Sequence, residues 1–139
     1  MNRNYQITLA AELESLAVFR QLIKHAGVEN PQIDQPTLYD LQLAVDEAAT
    51  NIIKHGYAGM DPGSIIFELV VDDQQVRMTL TDFGRQFEPS SAPAPDLNAA
   101  LENLPLGGFG LYFIYQTMDE VDYAADACGN RLFLVKQLP

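Results

Sequence analysis

The chain has 139 residues, 47% of them hydrophobic and 19% charged, and its formal net charge is −11. That length suits one domain, residues 1–139, with a core that needs no staples, and the composition excludes a disordered chain. The lone cysteine, Cys128, rules out an internal disulfide, and with two histidines it cannot make a zinc cluster. The acidity argues against direct nucleic-acid binding, which needs clustered Lys and Arg, and favours a basic partner or one that would otherwise bind DNA. "MNRNYQITLA" holds no signal-peptide run, and no stretch approaches the ~18 apolar residues of a membrane span. The expected location is the cytoplasm, away from membranes.

Taken in order, "YQITLA" alternates Tyr5, Ile7 and Leu9 with polar neighbours, the period of a half-buried strand. From Glu12 to Ala26, Leu16, Phe19, Leu22 or Ile23, and Ala26 recur at helical spacing, and Gly27 stands where a helix stop belongs. "VENPQIDQPT" reads as a loop. A second helix is predicted from Thr37 to His55, with Leu38, Leu41, Val45, Ala48 and Ile52 as its apolar stripe and Gly56 as its end.

"SIIFELVV" and "VRMTLTD" flank "DDQQ" as an antiparallel hairpin. A proline-rich segment follows, with a short helix predicted over Asp96–Leu104, and a third helix over Phe109–Met118. Two strands, Val121–Ala125 and Arg131–Gln137, then pair across "ACGN". Strands segregated from helices in this way predict an α+β, two-layer architecture with helices on one face of the sheet.

Three polar signals interrupt this pattern. In "DEAATNIIKHGY", Glu47, Asn51 and His55 recur every four residues, which makes Glu47 and Asn51 neighbours on one helix. The ordinary alternative is a solvated helix face. "TDFG", Thr81–Gly84, ends an apolar strand, where an Asp is either a turn-former or a carboxylate presented at the sheet edge. Its likeness to a protein-kinase motif fails, because there is no upstream glycine-rich loop, no "VAIK" and no "HRD". "LGGFGLYF" opens glycines onto an apolar helix, an arrangement that either makes a tight turn or binds phosphate at the helix N-terminus. No Lys-Ser or Lys-Thr follows, so it is not a Walker A loop.

The order and spacing of the three resemble the ATP-binding domain shared by gyrase, histidine kinases and mismatch-repair ATPases. Within that superfamily, "AVDEAATNIIKHGY", "DFGRQFEP", "GGFGLYFIYQTMDEVDY" and "GNRLFLVK" look most like the anti-sigma-factor serine/threonine kinases of bacterial partner-switching systems. The resemblance covers nearly the whole chain. It implies the Bergerat, or histidine-kinase-like ATPase, fold with a mixed, mostly antiparallel sheet, and it makes residues 85–106 the ATP lid.

By the same resemblance, Asn51 coordinates Mg2+, which is content with one protein ligand because it keeps waters and binds phosphate oxygens. Glu47 takes the proton of the attacking hydroxyl; its reference pKa of about 4.3 leaves it ionised at neutral pH. Asp82 accepts from the adenine amino group, with Thr81 helping through water, and Gly84 lets the adenine sit against the backbone. Gly107, Gly108 and Gly110 cradle the phosphates, and His55 lies near them. The implied activity is ATP- and Mg2+-dependent phosphorylation of a small anti-anti-sigma protein of the STAS type, which competes with a sigma factor or other regulator for this chain. Relatives are often dimers, and the sequence names no interface. Two departures stand out: Gln86 replaces a glycine found in some relatives, and no Lys or Arg occurs between Gln86 and Asn130. The second motivates an alternative, a nucleotide-gated module that sequesters its partner without phosphorylating it.

Overall fold

The computed structural model describes residues 2–86 and 114–139. The expected helix over Asp96–Leu104, the lid beyond Gln86, Gly107, Gly108 and Gly110, and the start of the third helix lie outside the described residues. The elements in chain order are β1 (Arg3–Ala10), α1 (Ser15–Glu29), α2 (Gln35–Asn51), a π-helical turn (Ile52–Gly56), β2 (Ser64–Val71), β3 (Gln75–Asp82), β4 (Glu120–Asp126) and β5 (Gly129–Gln137). Residues 114–117, just before β4, are helical. No helix among the described residues is long and apolar enough to cross a membrane.

The strands form one sheet in the order β1-β2-β3-β5-β4, and each of the four described pairings is antiparallel. Period-two alternation sends one face of every strand toward the helices. Across the sheet, Ile7, Phe67, Leu80, Leu132 and Tyr123 stand in one row, and Tyr5, Leu69, Met78, Leu134 and Val121 in the next. Phe67, Leu80 and Leu134 are fully buried. Helix α1 sets Phe19 edge-on against Phe67, with ring centroids 5.6 Å apart. Helix α2 adds Leu41, Ala44, Val45, Ala48 and Ala49 to the same core. This is the α+β arrangement with helices on one face.

The expected helix limits shift at four places, the first being the start of α1, at Ser15 and not Glu12. Helix α1 runs through Gly27 to Glu29, and Asn30 stops it instead, its backbone N–H and its side-chain Nδ2 both donating to the Ala26 carbonyl. Gly27 is there for packing: a Cβ would lie 2.9 Å from Leu38 Cδ1 on α2. Helix α2 starts at Gln35 because the Asp34 side chain accepts from the Thr37 N–H at 2.9 Å and Pro36 sits in the first turn. At its other end, α2 does not continue as an α-helix to His55. It gives way after Asn51 to the π-helical turn, in which Tyr57 N–H donates to Ile52 O, five residues back. π-turns of this kind are rare and concentrate at functional sites.

Candidate functional site: a polar pair in an apolar row

One row further along the sheet, the register reads Leu9, Ile65, Asp82, Asn130 and Ala125. Two adjacent core positions are thus occupied by a carboxylate and an amide, 6% and 4% exposed. Burial of such groups is costly unless they are hydrogen-bonded. Here they bond to each other: Asn130 Nδ2 donates to Asp82 Oδ1 at 3.0 Å and to the Gly84 carbonyl at 2.9 Å. The Gly84 N–H closes the turn by donating to the same Oδ1 at 2.9 Å. Both bonds engage one carboxylate oxygen, and Oδ2 has no hydrogen bond among the described residues.

The Asp82–Gly84 turn is pressed onto the end of the π-helical turn that follows α2. Arg85 N–H donates to the Gly56 carbonyl at 2.6 Å, and a Cβ on Gly84 would lie 2.6 Å from the Gly56 carbonyl carbon. Gly84 is therefore required by contact with backbone. Gly84→Ala is expected to cost about 2–3 kcal/mol of unfolding free energy, seen as a lower denaturant midpoint at unchanged slope. An unshifted midpoint would contradict this packing.

Tyr57 supports the turn from below. Its buried hydroxyl accepts from Phe83 N–H at 2.9 Å and donates to the Ser64 carbonyl at 2.8 Å, joining the start of β2 to the end of β3. Burial, above all, raises its pKa. Tyr57→Phe strands a donor and an acceptor and should lower stability by about 1–3 kcal/mol in chemical denaturation. A loss within error of zero would remove Tyr57 from this role.

Glu47 and Asn51 lie one helical turn apart on α2, and their side is not the solvated face that is the commoner fate of such spacing. Asn51 is 9% exposed, and its Nδ2 is buried with no hydrogen-bond partner among the described residues. A half-turn of the amide exchanges Nδ2 and Oδ1, so the position offers a carbonyl oxygen equally well. Glu47 is half-buried and makes no hydrogen bond or ion pair among the described residues. Burial pushes its carboxyl above the ordinary range, the neighbouring Asp46 adds to the rise, and Lys54 opposes it. Asp46 itself is held by Arg20, whose guanidinium reaches both carboxylate oxygens at 2.8 and 2.9 Å.

The π-turn connects α2 to the polar row. It begins next to Asn51 and ends at Gly56, where a Cβ would lie 3.8 Å from Asp82 Oδ1. His55 sits within it, half-buried. Thr81 is not brought in with Asp82: strand alternation puts its side chain on the opposite face of the sheet, in the row of Ile66 and Arg131. No three His, Cys, Asp or Glu side chains gather to hold a metal among the described residues. The site suits a cation held by one amide oxygen and by the anion it accompanies, as Mg2+ is held with phosphates.

Asn130 and Tyr57 were not singled out from the sequence, and Gly56 was read only as a helix end. Asn130 carried a signal, since it stands in phase with Leu132 and Leu134 where alternation calls for an apolar side chain.

Residues 9–136 match the family model of the histidine kinase-like ATPase domain. The chain belongs to that family. Among characterised relatives, this family member is 30% identical over 126 residues to serine-protein kinase RsbW of Bacillus cereus (strain G9842), covering 87% of the chain and 77% of the relative. It is 29% identical over the same length to serine-protein kinase RsbW of Bacillus mycoides (strain KBAB4). It is also similar to the crystal structure of the RsbU and RsbW domains of Rv1364c from Mycobacterium tuberculosis, with a TM-score of 0.70 and 20% identity. That match takes in 98% of this chain and 32% of the larger one, and bears on the fold.

Proposed function

We infer that this ATPase-family chain is a cytoplasmic serine/threonine-protein kinase and anti-sigma factor that uses ATP and Mg2+ to phosphorylate a small anti-anti-sigma protein of the STAS type. The observation that carries the reading is the buried amide of Asn51, whose Nδ2 has no partner among the described residues, one turn from a half-buried carboxylate that likewise has none among them. A folded protein keeps such an amide unpaired at a cost, and a ligand repays it. Histidine-kinase-like membership and the serine-protein kinase RsbW relatives support the same chemistry.

In this reading Asn51 holds Mg2+ through its side-chain oxygen, and the metal, when bound, neutralises phosphate charge. Glu47 accepts the proton of the substrate hydroxyl, a task favoured by its raised pKa and by the absence of a competing partner among the described residues. Asp82 accepts from the adenine amino group, which selects A over G. Gly84, Asn130 and Tyr57 hold that carboxylate in place. His55 and the glycines Gly107, Gly108 and Gly110 serve the phosphates. The net charge of −11 suits capture of a basic surface such as that of a sigma factor.

Incubation with a STAS-type anti-anti-sigma protein, ATP and Mg2+ tests the assignment. Phosphoserine or phosphothreonine should form on the partner, and a yield no higher than with Glu47→Gln would overturn it.

The sequence run from Gln86 to Asn130, which contains no Lys or Arg, favours a second reading. Phosphoryl transfer leans on a cation near the transferred group, so this chain would be a nucleotide-gated module that sequesters its partner. Partner capture that depends on ATP, with no phosphate transferred, would distinguish it; capture indifferent to nucleotide would dismiss it.

A further inference from the structure

The Asp82–Asn130 pair has a feature that the phosphate chemistry does not use. Asn130 is 4% exposed, directly across from Asp82 in the β3–β5 register, and its Nδ2 donates both to Asp82 Oδ1 and to the Gly84 carbonyl, with the Arg85 carbonyl at 3.5 Å. One amide thereby fixes a carboxylate and the backbone that follows it. With the Gly84 N–H also on Oδ1, that oxygen has two donors and a set orientation. The other oxygen, Oδ2, has no donor among the described residues and is left to accept from something else. An ionised carboxylate only accepts, so the group that completes it is a donor.

We propose that Asn130 is the specificity-positioning residue of the base pocket: by clamping Oδ1 of Asp82 and the Gly84 carbonyl together, it aims Oδ2 at the exocyclic amine of a 6-aminopurine. This rests on the nucleotide site inferred above. Asn130 acts on the base end alone. Its bonds run to Asp82, Gly84 and Arg85, and none runs to Glu47 or Asn51. Loosening it should cost the contribution of the 6-amino group and leave the part of the affinity that comes from the triphosphate.

The test is calorimetric titration of the wild-type chain and Asn130→Leu with ATP and with purine riboside triphosphate, which lacks the 6-amino group, both with Mg2+. Wild type should prefer ATP. In Asn130→Leu, ATP affinity should fall about tenfold, the weight of one well-placed hydrogen bond, while purine riboside triphosphate binds as before and the preference collapses. Equal losses for both ligands would mean a general structural role, and an unchanged preference would mean no role; either overturns the proposal. Asn130→Ala carries the same test without added bulk if the leucine variant does not fold. Wild type that binds neither ligand overturns the nucleotide site as well, whereas wild type that prefers ATP with variants that keep the preference overturns the clamp alone.

Discussion

Glu47→Gln is expected to slow phosphoryl transfer to the partner by about 10²- to 10⁴-fold, the usual weight of a positioned base, while ATP affinity changes by less than about threefold. The carboxylate is half-buried on α2 and free of any partner among the described residues, so its loss removes a proton acceptor and breaks no bond. Its protonation should do the same as its deletion. Because burial raises its pKa, the acid limb of kcat for the wild type should lie above the ordinary carboxylate range. The variant should lack that limb. The same shift makes a stability statement. A raised folded pKa means that folding favours the protonated form; this contribution is complete below the unfolded pKa and is lost as pH rises through the folded one. Ionised Glu47 therefore weighs against the fold at neutral pH. Glu47→Gln should be the more stable protein there, and the difference should shrink as pH falls through the carboxylate range. Stability that is equal in the two proteins at every pH would contradict the burial argument.

Asn51→Leu should move stability and binding in opposite directions. The wild-type amide is buried, with no partner for Nδ2 among the described residues, a condition that costs about 1–3 kcal/mol in a folded protein. A side chain of similar length with no polar atoms relieves that cost. The ligand-free variant should unfold at a higher denaturant concentration, by about 1 kcal/mol of free energy. Affinity for ATP in the presence of Mg2+ should drop by about 100-fold, in line with what losing a group that supports a metal costs. A residue that serves the fold loses both together, and one that serves a ligand trades one for the other. A less stable variant that binds as before would show Asn51 to be structural.

The first strand was legible because alternation is a direct image of burial: Tyr5, Ile7 and Leu9 on β1 occupy the face that the periodicity indicated. The helix stripes were legible for the same reason, and of Leu22 and Ile23 it is Ile23 that is fully buried. Backbone packing was not. Gly27 looks like a helix stop in sequence, yet what it meets is Leu38 on another helix, a contact no local pattern encodes. The π-turn at Ile52–Gly56 escaped because its residues are ordinary helix formers; its companion feature is the Asp82–Gly84 turn lodged against Gly56, 28 residues downstream of it in the case of Gly84. Asp82 was legible as a carboxylate at the end of a strand. Asn130, 48 residues away, becomes its partner only through the β3–β5 register. The resemblance gives Thr81 a part through water, and its side chain stands on the other face of the strand from Asp82, since neighbours along a strand face opposite ways.

The central claim is that a purine triphosphate and Mg2+ complete the groups that α2 and the ends of β3 and β5 leave open. Calorimetric titration of the chain with ATP, with and without Mg2+, tests it most directly. The account predicts saturable binding of one nucleotide per chain, weakened by omitting Mg2+ and by Asp82→Asn. No saturable heat at millimolar ATP, or binding that ignores both changes, would contradict it.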